Sequence, residues 1–232
     1  NLQLEQVKLL SQKNIEQEQE KQRILENKKE ELEAEVIERT AELRQEKKKS
    51  DDLLLNILPA EIAEELKEKG SAVARDYDKV TVMFTDFKDF TKISEQLSPT
   101  ELVKEIDLCF SAFDHIIQKH GVEKIKTIGD AYMCVGGLPV PTITHAQDVV
   151  NAALEMRDFM DKHNQEKAAK GEHQFRIRIG IHTGSVVAGI VGVKKFAYDI
   201  WGDTVNIASR MESSGEPNKI NISGTTFELV KD

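Results

Sequence analysis

A chain of 232 residues is long enough for one domain of ordinary size with an added segment. Its 39% hydrophobic content supplies one real core, and 13 glycines with 5 prolines exclude a low-complexity disordered chain. The formal net charge of -9 argues against a nucleic-acid surface, which is usually basic, but is compatible with a metal-dependent site whose local acid groups meet an anionic ligand. The two cysteines, Cys109 and Cys134, sit in apolar runs without metal-ligand spacing and read as reduced core thiols. No apolar run is long enough to cross a membrane, and no signal peptide opens the chain. The first residue is Asn1, so the sequence reads as a fragment. It is expected in the cytoplasm, from a parent that can carry a sensor or membrane portion upstream.

Residues 1–58 contain neither glycine nor proline, and residues 1–50 hold 11 Lys/Arg and 12 Asp/Glu. Such a segment cannot build a globular core but can form a long exposed helix. Leu25, Leu32, Val36 and Leu43 are spaced seven, four and seven apart, as a and d positions are, although Lys29 and Arg39 interrupt the seam. The spacing predicts a two-stranded coiled coil, with a solvated single helix as the alternative. The region 53–75 reads as a helical linker: Pro59 breaks or opens a helix, 60–69 is helical, and Gly70 ends it.

The globular part is expected over 76–232. Residues 79–84 alternate as a strand does. Ser98, Pro99 and Glu101 compose a capping box that starts a helix running to about His120. Strands at 122–128 and 131–136 join tightly through Gly129 and Asp130, and an amphipathic helix covers 144–168. A strand at 175–182 precedes a Gly-rich stretch, Gly184 to Gly192. A strand at 196–200, a helix at 204–213, a strand near 219–222 and a short final helix complete the order. The order β-α-β-β-α-β predicts an α+β, ferredoxin-like split βαβ sheet with helices on one face.

Asp86 follows an apolar strand, and Asp130 lies in the tight turn between two strands. Central strands of this topology can bring both carboxylates to one sheet edge, where they offer hard oxygen donors to Mg²⁺ or Mn²⁺. Two such ions orient a nucleophile and neutralise leaving phosphates. A turn-forming role for Asp130 and a helix cap at Asp86 are the plainer alternatives. Backbone amides of Phe87 to Thr91 lie near a helix start and can cradle phosphate oxygens. Lys126 is four residues before Asp130, an even spacing that puts both on one face of a plain strand. Asn206 and Arg210 share a helical face; the arginine can clamp a phosphate, and the asparagine can hold a ribose or phosphate oxygen.

Four segments in order, VTVMFTDFKDFT (80–91), EKIKTIGDAYM (123–133), FRIRIGIHTGSVVAGIVG (175–192) and YDIWGDTVNIASRME (198–212), resemble the class III nucleotidyl cyclase catalytic domain. The resemblance covers about 76–232, with 53–75 similar to the helical transducing linker before it and 1–52 to a coiled-coil signalling helix. It implies Asp86, Phe87 and Asp130 as the metal-binding residues for two Mg²⁺ or Mn²⁺ per site. It also implies Phe87, Phe90 and Thr91 as substrate contacts, Lys126 and Asp199 as the adenine-selecting pair, and Asn206 and Arg210 as catalytic residues.

Adenine presents an N6 donor to Asp199 and an N1 acceptor to Lys126. Guanine meets the same pair with reversed polarity, and a buried mismatch costs roughly 1–3 kcal/mol per group. Guanylyl cyclases of the family typically carry Glu and Cys at the two places, so ATP is the expected substrate. The resemblance further implies a homodimer with parallel N-terminal helices, each site drawing its metal ligands from one subunit and the other four groups from its mate. The family usually continues into a hairpin with a phosphate-binding lysine, which this sequence, stopping at Asp232, does not show. His182 is expected to pack rather than act as a base. A guanylyl cyclase, a silent dimeric regulatory module and a single-strand RNA-binding sheet are the competing readings. The acidic balance and the lack of an aromatic platform speak against the last.

Overall fold

The computed structural model describes residues 2–192 and 197–232, with side chains from Glu5 onward. The chain divides into two units, Asn1–Asn56 and Ile57–Asp232. The first is a single helix, α1 (Leu2–Leu55). No glycine or proline interrupts it, and exposed pairs such as Lys28–Glu31, Lys29–Glu33 and Arg39–Glu42 each add a few tenths of a kcal/mol (~0.2–0.5). Leu25, Leu32, Val36 and Leu43 all lie exposed along it, and Leu25, Leu32, Val36 and Ile37 line one shallow apolar groove.

The second unit opens with α2 (Ala60–Lys69), capped by Pro59 and ended by Gly70 in the left-handed conformation, φ 70°. Then follow β1 (Arg75–Phe87), α3 (Phe90–Ser94), α4 (Pro99–Lys119), β2 (Glu123–Ile128), β3 (Ala131–Gly136), α5 (His145–Ala169) and β4 (Ile177–Val191). The remainder is β5 (Ala197–Trp201), α6 (Asp203–Ser213), β6 (Ile220–Ile222) and α7 (Gly224–Val230). The expected strand at 196–200 is this β5; position 196 lies outside the described residues. The capping box at the start of α4 is formed as expected: Ser98 Oγ accepts from the Glu101 N–H, and the Glu101 carboxylate accepts from the Ser98 N–H.

The strand order is β2-β3-β1-β4-β5, antiparallel throughout, with β6 added parallel to β4. This is the α+β split βαβ arrangement expected. Residues of β1 and β4 alternate: Met83, Phe87, Ile177, Ile179 and Ile181 face a core shared with Cys109, Phe113 and Met156 from α4 and α5.

Two features differ from the expectation. The strand expected at 175–182 does not stop before the Gly-rich stretch: β4 runs from Ile177 to Val191 and takes most of it in. Helices also cover both faces: α6 packs on the face opposite α4 and α5, so closely that a Cβ on Gly180 would stand 1.9 Å from the Glu212 nitrogen. Gly184 likewise admits Thr204, whose Oγ1 would meet a Cβ at 2.4 Å. These glycines permit backbone approach and do not mark turns.

A line of polar groups, buried from His145 to Thr226 and partly buried at Ser223 and His182, runs beside α5. The His145 ring Nδ1 lies 2.7 Å from Thr81 Oγ1, which lies 2.8 Å from Thr183 Oγ1. Thr183 Oγ1 is 2.9 Å from Thr226 Oγ1, which is 3.2 Å from Ser223 Oγ, and Ser223 Oγ is 2.7 Å from His182 Nδ1. His182 is thus anchored to the start of α7. No described helix is long and apolar enough to cross a membrane.

Candidate active site

Pairing between β1 and β3 puts Thr85 opposite Tyr132, so Asp86 and the turn residue Asp130 come to the same edge. The turn depends on Gly129 with φ 64°. The backbone N–H groups of Asp130 and Phe87 lie near the Asp130 carboxylate and favour its charged form. Burial, and then the charge of Asp86, still hold its carboxyl above the usual range. Asp86 is a strand residue and caps no helix; the α3 cap is Asp89.

The facing position to Asp86 on β4 is Arg178, whose Nη2 donates to Asp86 Oδ1 at 3.0 Å. Its Nε lies 2.8 Å from Glu212 Oε1 at the end of α6, an ion pair without hydrogen-bond alignment. Burial and the neighbouring Asp86 raise the Glu212 carboxyl as well, against the opposing effect of Arg178. Asp86 and Glu212 thus share one guanidinium, whose charge also acts on Asp130. That excess of hard, partly desolvated oxygen suits divalent cations of the Mg²⁺ or Mn²⁺ class.

Phe87 turns its ring into the core, 3% exposed and 5.6 Å from the Phe175 ring, so it can serve a ligand only through its backbone. The Phe90 ring stacks 6.4 Å from it and packs against the same core, and Thr91 lies exposed on α3.

Lys126 and Asp199 meet. The sheet curls until β2 and β5, at opposite ends of the strand order, come into contact. Lys126 Nζ lies 2.5 Å from Asp199 Oδ2, while Asp199 Oδ1 accepts from the Ile200 N–H at 2.9 Å. The even spacing of Lys126 and Asp130 does not join them, because β2 ends at Ile128 and Asp130 lies beyond it, in the turn set by Gly129. Asp130 turns toward Asp86 and Lys126 toward Asp199.

Asn206 and Arg210 are exposed on α6, and neither side chain has a hydrogen-bond or ion-pair partner among the described residues. The expected residues therefore form three groups: Asp86 with Asp130, Lys126 with Asp199, and the open Asn206–Arg210 face. No hydrogen bond or ion pair links one group to another among the described residues. Arg178 and Glu212 were not singled out from sequence, although both lie in the segments quoted above. Their signal is the strand register and the helix packing.

Comparison with known proteins gives a consistent result. Residues 72–232 match the family described as the adenylate and guanylate cyclase catalytic domain. An adenylate cyclase of Mycobacterium tuberculosis is 42% identical over 193 residues, covering 83% of this chain and 43% of that protein. The guanylate cyclase soluble subunit beta-2 of Rattus norvegicus is 44% identical over 207 residues, 89% of this chain and 29% of that protein. The chain thus spans less than half the length of these curated relatives. Among solved structures, the adenylyl cyclase CyaB from P. aeruginosa matches with TM-score 0.65 and 33% identity, over 68% of this chain and 84% of that one. A rhodopsin-guanylyl cyclase core with converted specificity, in complex with ATPαS, matches with TM-score 0.64 and 37% identity over 68% and 84% of the two chains.

Proposed function

Since this chain belongs to the adenylate and guanylate cyclase catalytic-domain family, we propose that it converts ATP to 3',5'-cyclic AMP and pyrophosphate at the interface of a symmetric homodimer. The relatives include enzymes of both specificities, so overall similarity does not choose the base. The observation that carries the choice is the contact of Lys126 with Asp199 at 2.5 Å. An ammonium and a carboxylate side by side offer one donor and one acceptor to adenine N1 and N6. Guanine, with a protonated N1 and a carbonyl at position 6, meets each with the wrong polarity.

Asp86 and Asp130 are the proposed ligands for two Mg²⁺ or Mn²⁺ ions. When bound there, the ions supply neutralisation of the triphosphate and a lower pKa for the ribose 3'-hydroxyl. The remaining work falls to side chains. Lys126 and Asp199 fix the adenine, which sets the ribose in reach of the α-phosphorus. Asn206 holds the ribose so that its 3'-oxygen is in line with the leaving pyrophosphate. Arg210 donates to α-phosphate oxygens as charge grows on them, an interaction that counts for rate because it strengthens in the transition state. Phe87, Phe90 and Thr91 line the triphosphate through backbone amides. No covalent enzyme intermediate is required.

The separation of the three groups within one protomer supports a site shared between two. Asp86 and Asp130 of one subunit would face Lys126, Asp199, Asn206 and Arg210 of the other, giving two equivalent sites. The exposed seam of α1 supports parallel pairing of residues 1–52, with 53–75 passing a rotation or register change from an upstream sensor in the parent. We place the domain in the cytoplasm, where ATP is available.

An assay with ATP and with GTP, each with Mg²⁺ and Mn²⁺, tests the proposal. Cyclic AMP is the expected main product, and Asp86→Ala is expected to lower the rate at least about a hundredfold. Cyclic GMP as the main product would defeat the base assignment, and robust turnover by Asp86→Ala would defeat the metal assignment.

A further inference from the structure

A second constellation lies on the other face of the sheet. Glu105 and Cys109 are one helical turn apart on α4, and His163 faces them from α5. One ligand atom from each of the three lies within 4.8 Å of the others. Glu105 and Cys109 are buried, and the His163 side chain is only 11% exposed. The His163 Nε2 contacts one Glu105 oxygen, and Lys167 Nζ lies 2.6 Å from the other. The Phe159 ring stacks on the imidazole, centroids 5.9 Å apart and planes within 4°, which fixes the direction of its nitrogen.

From this geometry we infer that Glu105, Cys109 and His163 form a binding site for a divalent cation of the zinc class, distinct from the proposed catalytic pair. The donor set makes the choice of metal. A thiolate, an imidazole and a carboxylate are together a zinc-type set, whereas Mg²⁺ and Ca²⁺ take oxygen alone. Tetrahedral coordination by these atoms requires donor separations of about 3–4 Å, which the present spacing reaches through small rotations of the three side chains. The ion would sit between His163 and Glu105, bound by a neutral imidazole through Nε2 with its one N–H on Nδ1; any proton beyond that one, and the thiol proton displaced as the sulfur–metal bond forms, leave to solvent. The fourth position is left for water. Glu105 and Lys167 line a cavity of about 500 Å³, together with Leu97, Lys104, His173 and Phe175, which gives the ion its route in from solvent. Burial and the nearby Glu105 push the Cys109 thiol up to about 12, so the sulfur is protonated until a metal claims it.

The experiment uses the full chain with Co²⁺ in excess Mg²⁺, read by sulfur-to-cobalt charge-transfer absorption. Only a metal-bound thiolate produces that band, and the chain has two cysteines. The band is expected at one Co²⁺ per chain, to be displaced by Zn²⁺, to vanish in Cys109→Ser and to persist in Cys134→Ser. His163→Gln is expected to weaken Zn²⁺ binding at least about tenfold with the circular-dichroism spectrum unchanged. That variant keeps the test open should the cysteine variant fail to fold. No band at saturating Co²⁺, a band that survives Cys109→Ser, or unaltered Zn²⁺ affinity in His163→Gln overturns the assignment. The readout is independent of cyclase turnover, so its failure leaves the proposed reaction untouched.

Discussion

Arg178 and Asp86 face each other across β1 and β4, with the guanidinium Nη2 3.0 Å from the carboxylate Oδ1. The same guanidinium lies against Glu212, so one arginine ties the edge of the sheet to the end of α6. A cation arriving at Asp86 must compete with Arg178 for that oxygen.

Loss of the arginine leaves Glu212 buried without its counter-charge. Arg178→Met is expected to destabilise the fold by about 3 kcal/mol, the usual scale for breaking one side of a buried pair. Pairing it with Glu212→Leu is expected to recover most of that loss. Urea unfolding of the two single variants and the double variant measures the coupling. Additive losses would show that the two residues do not depend on each other.

Base choice is expected to follow Lys126 and Asp199. Lys126→Glu with Asp199→Cys removes the donor for adenine N1 and the acceptor for N6. The ratio of kcat/KM for ATP over GTP should fall by at least about tenfold, since each mismatched buried group is worth roughly 1–3 kcal/mol. Steady-state rates with both nucleotides give the ratio. An unchanged value removes the pair from base recognition.

Gly180 is fixed by the backbone of α6. A Cβ there would lie 1.9 Å from the Glu212 nitrogen and 2.5 Å from the Met211 carbonyl carbon, and neither atom can swing aside as a side chain does. Gly180→Ala is expected to cost about 3 kcal/mol and to displace the helix that carries Asn206 and Arg210. A urea midpoint equal to that of the unchanged protein would contradict the close packing.

This glycine also marks where the sequence was hard to read. The ends of α2 and α4 were legible because Gly70 and the Ser98–Glu101 box act within a few residues of themselves. The alternation in β1 was legible for the same reason. The Gly-rich half of β4 was not, since Gly184 stands in a strand to admit Thr204, a residue twenty positions further on. Arg178 and Glu212 stayed hidden because their partnership depends on a register and a helix face that no short window contains. The meeting of Lys126 and Asp199 depends on the curl of the whole sheet.

Acid should weaken the fold through its two desolvated histidines. Burial holds both His145 and His182 below the ordinary imidazole range; Asp148 opposes this for His145 and Lys79 adds to it. Below about pH 6.5 the unfolded chain takes up protons that the folded chain refuses, so stability falls as pH falls. The loss is at most about 1.4 kcal/mol per pH unit for each ring. His145→Gln is expected to flatten the dependence of the urea midpoint between pH 7.5 and 5.5, and an identical slope would assign the acid sensitivity elsewhere.

The polar line between those two rings has a consequence in proton arithmetic. Five contacts run from His145 through Thr81, Thr183, Thr226 and Ser223 to His182, and four hydroxyls supply four protons. The fifth must come from a ring nitrogen, and two ring protons would be one too many. If every contact is satisfied, one imidazole carries its proton on Nδ1 and the other on Nε2. Reversing either one reverses every hydroxyl between them, so two histidines that never touch must hold opposite tautomers.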